Sequence, residues 1–97
     1  MTNYEPLRGQ GEAEQRFTQR VTAFREALGL SAQALADRLA EQGFPEVNRR
    51  VLYKIEGGDR RVTLDEAVAV CKVFGVSIAD MVSPEPVRFE IRAEVTL

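Results

Sequence analysis

Apolar positions divide the chain before anything else does. From Glu12, Phe17, Val21, Phe24 and Leu28 recur at spacings of four, three and four, the stripe of one helix. Gly29 is a natural stop, and Leu30 can fold back onto the helix end. Ser31 can cap a second helix that buries Ala32, Leu35, Ala36 and Leu39 and ends near Gly43, where "GFPE" supplies a turn. Asn48 is a good cap for a third helix, over 48–56, with Val51, Leu52 and Ile55 inward and Gly57-Gly58 as its stop. "TLDE" at 63–66 reads as a capping box, Thr63 capping and Glu66 reaching back to the Thr63 N–H. It opens a fourth helix with Leu64, Ala67, Val68, Cys71 and Phe74 on its inner side and Gly75 as its end. Ser77 and Asp80 bracket a short fifth helix, "SIADMV", which the prolines of "SPEP" stop.

The period then changes from helical to alternating. Val87, Phe89, Ile91, Ala93, Val95 and Leu97 alternate with Arg88, Glu90, Arg92, Glu94 and Thr96, the pattern of a strand with one apolar face. One strand leaves its backbone groups unpaired, and no second strand is evident, so this segment needs a partner. The expected organisation is therefore mainly α. It comprises an N-terminal arm over 1–12 carrying Pro6, Gly9 and Gly11, a five-helix domain over 13–83 and a β-strand element over 84–97.

Composition narrows the chemistry. Ninety-seven residues, 44% hydrophobic and 29% charged, make one globular domain with a tail or arm. No apolar run approaches the roughly 18–20 residues that span a bilayer, and the N-terminus lacks a signal peptide's apolar core, so a cytoplasmic protein without a membrane partner is expected. The chain has no His and a single Cys, Cys71, which removes intramolecular disulfides, Cys-based zinc sites and the usual nucleophile–base pairs. Neither an enzyme nor a cofactor is expected. Cys71, on the apolar face of the fourth helix, reads as core.

Charge reopens the picture. Acidic residues outnumber basic ones, 15 to 13, yet residues 44–62 carry five basic groups against three acidic. Those five are Arg49, Arg50, Lys54, Arg60 and Arg61. A helix that buries Val51, Leu52 and Ile55 turns Arg49, Arg50, Tyr53 and Lys54 outward. Two arginines in an opening turn oppose the helix macrodipole, so helix stability does not explain them. A solvated face is the plain reading, and contact with an anion, DNA above all, is the functional one.

The ordered text "FREALGLSAQALADRL" followed by "VNRRVLYKIEGGDRRVTLDEAVAVCKVFGVSIADMV" resembles the lambda-repressor/Cro-like helix-turn-helix proteins, the XRE family. The resemblance covers roughly residues 14–83 and implies a five-helix DNA-binding domain, whose third helix enters the major groove. Aligned on Ile55-Glu56, it carries base contacts to Arg49, Arg50, Val51, Tyr53 and Lys54, with arginine suited to guanine O6 and N7 and Val51 to a thymine methyl. Phosphate contacts fall to Ser31, Gln33, Asn48, Arg60 and Arg61. Two departures stand out. The glutamine that the family places just after the second helix's cap is Ala32 here, with Gln33 one position on. The segment between Leu39 and Val47 is also longer than the family's compact turn.

The alternating tail looks like the strand by which some Cro proteins dimerise. Paired antiparallel about Ile91, two copies set Arg88 against Glu94 and Glu90 against Arg92, all opposite in sign. Registers about Phe89 or Ala93 also avoid clashes, with fewer paired residues, and the plainer reading is a strand packed on its own domain or a frayed terminus. The expected dimer interface is Val87, Arg88, Phe89, Glu90, Ile91, Arg92, Ala93, Glu94 and Val95. A homodimer would bring two reading heads to a palindromic operator, with half-sites roughly 34 Å apart. The expected function is thus a transcriptional regulator binding double-stranded DNA, Cro- or repressor-like, with a phage or prophage origin favoured by its small size. The alternative is a protein-interaction module on the same fold, such as an antitoxin that grips a partner protein through its C-terminal strand.

Overall fold

The computed structural model describes residues 11–85. Five helices follow one another: α1 Glu12–Ala27, α2 Ala32–Glu41, α3 Arg49–Glu56, α4 Leu64–Phe74 and α5 Ile78–Val82. All five were expected from the sequence. No strand occurs among the described residues. The alternating segment from Val87 to Leu97, and the expected arm except for Gly11 and Glu12, lie outside them.

Local chemistry sets the helix boundaries. Ser31 Oγ accepts the Ala34 N–H at 3.0 Å and Asn48 Oδ1 accepts the Val51 N–H at 2.9 Å. At α4 the Thr63 hydroxyl accepts the Glu66 N–H at 3.1 Å while Glu66 Oε1 accepts the Thr63 N–H at 3.0 Å, and Ser77 and Asp80 repeat that reciprocal pair at α5. α1 starts without a side-chain cap at Gly11, but Glu12 and Glu14 face its positive end. Its other end closes at Gly29, φ +72°, where the Leu30 N–H reaches back to the Arg25 carbonyl at 2.9 Å. The same closure at Gly43, φ +98°, with the Phe44 N–H on the Leu39 carbonyl at 2.9 Å, ends α2 and begins the long connection to α3.

The helices enclose one core. Val21 and Phe24 of α1, Leu35 and Leu39 of α2, Leu52 of α3 and Met81 of α5 are the largest fully buried side chains. Phe24 and Phe74 stack with ring centroids 5.8 Å apart. α1 packs against α3, α4 and α5, and α2 against α3 and α4.

α4 departs from its expected phase. Leu64 is 74% exposed and Val68 is also exposed, whereas Glu66, Ala67, Ala69, Val70, Cys71 and Phe74 are buried. The sequence of α4 is apolar nearly all round, so spacing alone does not select the inner face. The carboxylate of Glu66 lies on that buried side, held by hydrogen bonds from Arg60 and the Thr63 N–H.

α1 also grips α5. Arg16 Nε donates to the Val82 carbonyl at 2.6 Å, and Arg20 donates to the carbonyls of Asp80 and Glu85, each at 3.1 Å. Two cations thereby satisfy carbonyls that the end of a five-residue helix leaves unpaired.

Candidate nucleic-acid interface

α3 has two faces of different character. Leu52 and Ile55 are buried and Val51 is half-buried, while Arg49, Arg50, Tyr53 and Lys54 are exposed. At about 100° per residue these four outer side chains fall within an arc of about 140°. Asn48 spends its Oδ1 on the cap, so the helix begins at the surface with two arginines and no acidic residue in its first turn. The macrodipole penalises that choice, and an anion at the same place would be attracted by both the helix end and the side chains.

The other cations provide the contrast. Arg16 and Arg20 hold α5, Arg25 pairs with Glu56, Arg60 with Glu66 and Arg61 with Glu14. The side chains of Arg49, Arg50 and Lys54 have no hydrogen bond or ion pair to any described residue, a condition shared among the described cationic side chains by Arg38 and Lys72 alone. Three of those five therefore lie side by side on one helix of eight residues.

α3 is fixed from behind. Arg25 of α1 donates from Nε and Nη2 to the two oxygens of Glu56 at 2.8 and 3.1 Å, and from Nη1 to the Leu30 carbonyl at 3.1 Å. Both side chains are close to buried, 11% and 8% exposed. The hydrogen bond to Glu56 raises the Arg25 pKa above its ordinary value against the opposing effect of burial, so the guanidinium stays charged. One end of α3 is thus tied to α1 by a two-pronged bond, a geometry that fixes rotation as well as distance.

The loop after α3 is tied at two points. Glu14 Oε1 accepts from Arg61 Nε and its Oε2 from the Val62 N–H, both at 2.9 Å. Glu66 takes two bonds from Arg60, at 2.6 and 3.2 Å, besides the Thr63 N–H of its capping box. Burial pushes the Glu66 carboxyl up, but Arg60 and Thr63 outweigh it and hold its pKa below the usual range.

Each expected DNA-contact residue lies among the described residues, and the expected dimer interface, 87–95, lies outside them. Arg49, Arg50, Tyr53 and Lys54 come together on the outer face of α3, with Val51 at its edge. Arg60 and Arg61 each hold a carboxylate of the same chain, and Arg61 remains 53% exposed. Ser31 is the cap of α2, and Gln33 donates to Asp37 one turn on at 2.9 Å. The supporting acids Glu14, Glu56 and Glu66 had not been singled out as site residues. Glu56, in the aligned Ile55-Glu56 pair, and Glu66, in the capping box, each carried a signal; Glu14 carried none. Among the described residues no cluster of His, Cys, Asp and Glu could hold a metal, and no helix is long and apolar enough to cross a membrane.

A family described as a helix-turn-helix domain matches residues 16–82, from the second turn of α1 to the last residue of α5. No curated protein and no solved structure matches the chain significantly. With the match spanning most of the chain and the exposed cations gathered on its third helix, the chain belongs to the helix-turn-helix domain family, a DNA-binding rather than catalytic class.

Proposed function

We propose that the protein is a sequence-specific transcriptional regulator of the lambda-repressor/Cro-like kind, reading an operator with α3 in the major groove. The observation that carries this is the set of three cations on the outer face of α3 without an internal partner among the described residues. Arg49 and Arg50, in the first turn, are placed in sequence where such helices meet base edges, and their forked donors match guanine O6 and N7. Tyr53 and Lys54 extend the same face, and half-buried Val51 offers a methyl surface for thymine. Asn48, Ser31 and Gln33 flank the reading face as phosphate contacts, as do Arg60 and Arg61. A guanidinium has five N–H donors, and the three hydrogen bonds of Arg60 do not use them all.

The protein acts as a homodimer. Residues 87–95 of two copies pair antiparallel about Ile91, which matches every central charge with its opposite. A two-fold dimer then binds a palindrome with half-sites roughly 34 Å apart. Selection from a random duplex library at fixed salt, wild type against Arg49→Ala/Arg50→Ala, tests the reading. A palindrome enriched by the wild type and lost in the variant is expected. Enrichment of nothing, with weak and salt-sensitive binding alone, would overturn it.

A further inference from the structure

An apolar groove of about 260 Å³ opens on the side of the domain formed by the start of α1, the start of α4 and α5. Phe17, Val62, Leu64, Ala67, Ile78 and Val82 line it. One of its walls is the leucine that α4 turns outward, Leu64 at 74% exposure. Isolated exposed leucines are ordinary, but here Leu64 borders an open apolar groove.

We infer that this groove is the seat of the chain's own C-terminal segment, which lays the apolar side of residues 87–97 across it with Phe89 inserted. Val82 is both a wall of the groove and the last residue of α5, so the chain leaves the domain at the groove's edge. Arg20, bonded to the Glu85 carbonyl, holds that exit against α1. From there, the twelve residues Pro86–Leu97 follow. At about 3.3 Å per residue they reach nearly 40 Å, ample to return over the groove. Their pattern supplies the fit: Val87, Phe89, Ile91, Ala93, Val95 and Leu97 all share one side. The other terminal segment, residues 1–10, offers only Met1, Tyr4 and Leu7 as large apolar side chains, without alternation.

This deepens the proposed dimer and rests on its strand assignment without depending on the pairing. A strand presents two independent surfaces, its backbone edge and its side-chain face. Edge pairing between copies joins two tails but leaves their apolar side uncovered, and the groove covers it.

Isotope-filtered NOE spectra of the full chain test the inference, using labelled protein alone and then mixed with unlabelled protein. NOEs from the Phe89 ring to methyls of Leu64, Ile78 and Val82 within one chain are expected. Thermal melts of Leu64→Ala, Phe89→Ala and the double variant add a second reading, with the double variant losing less Tm than the singles summed. Three results overturn the inference: contacts only between chains, contacts from Tyr4 or Leu7 instead, or no contacts to Phe89 with additive losses. Sedimentation equilibrium of the same samples separates the two proposals. A monomer with the NOEs present removes the dimer and keeps the docked tail, and a dimer without them does the reverse.

Discussion

Glu56→Ala offers the sharpest test of how α3 is held. In the native chain the Arg25 guanidinium makes two bonds to Glu56, at 2.8 and 3.1 Å, and one to the Leu30 carbonyl. With side chains 11% and 8% exposed, water can do little to replace a lost partner. Truncating Glu56 leaves a nearly buried cation with one neutral acceptor, at a cost of about 3–5 kcal/mol. In a chain of this size about 3 kcal/mol already lowers Tm by roughly 12 °C or more. Glu56→Gln keeps an acceptor while losing the charge, and should cost less, about 1.5–3 kcal/mol. Arg25→Leu/Glu56→Leu strands no charge, so its loss should fall short of the Glu56→Ala loss. Urea titration by far-UV circular dichroism measures all three, provided the m-value stays constant. Should Glu56→Ala cost less than about 1 kcal/mol, the figure for an exposed pair, the pair is not what fixes α3.

Other expectations concern the loop and the core. Glu66 has its pKa lowered by folding, so its charge contributes stability that is fully present above the unfolded value, about 4.3, and is lost as pH falls through the folded value. Acid titration of Tm should show that loss, and Glu66→Gln should flatten it; an unchanged acid limb would contradict the assignment. Burial, with a smaller contribution from the Asp80 charge, pushes the Cys71 thiol up to about 11. Iodoacetamide at pH 8 should therefore label Cys71 only as fast as the chain unfolds, and labelling at a free thiol's rate would refute its burial. Arg61→Ala, in the proposed complex, should weaken binding to all sequences alike and reduce the slope of log K against log salt by about 1. A change in sequence preference instead would make Arg61 a reader of bases.

Legibility in the sequence followed the range of the interactions. Caps and stops act over three to five residues, so Ser31, Asn48, Thr63 and Ser77 announced their helices, as Gly29, Gly43 and Gly75 announced the ends. The outer face of α3 was legible because buried Leu52 and Ile55 leave Arg49, Arg50, Tyr53 and Lys54 only one side to occupy. α4 was legible only in part, because Leu64 and Val68 are as apolar as the Ala69 and Val70 that are buried instead. The burial of Glu66 goes with its bond to Arg60, six positions before it, and periodicity carries no information about that pair. The ties of Glu14 to Arg61 and of Arg25 to Glu56 span 47 and 31 positions, beyond any local signal.

The outer residues of α3 take no part in holding the fold. The side chains of Arg49, Arg50 and Lys54 bond to nothing among the described residues, while capping, burial and the tie to α1 fall to Asn48, Leu52, Ile55 and Glu56. Substitutions at such exposed positions ordinarily change stability by no more than about 0.5 kcal/mol. Inheritance can therefore vary the two sets separately. With α3 as the proposed reader, a descendant of this chain can acquire a new target by exchanging a few surface side chains while the scaffold passes on unaltered, and duplicated copies can diverge in address long before they diverge in shape.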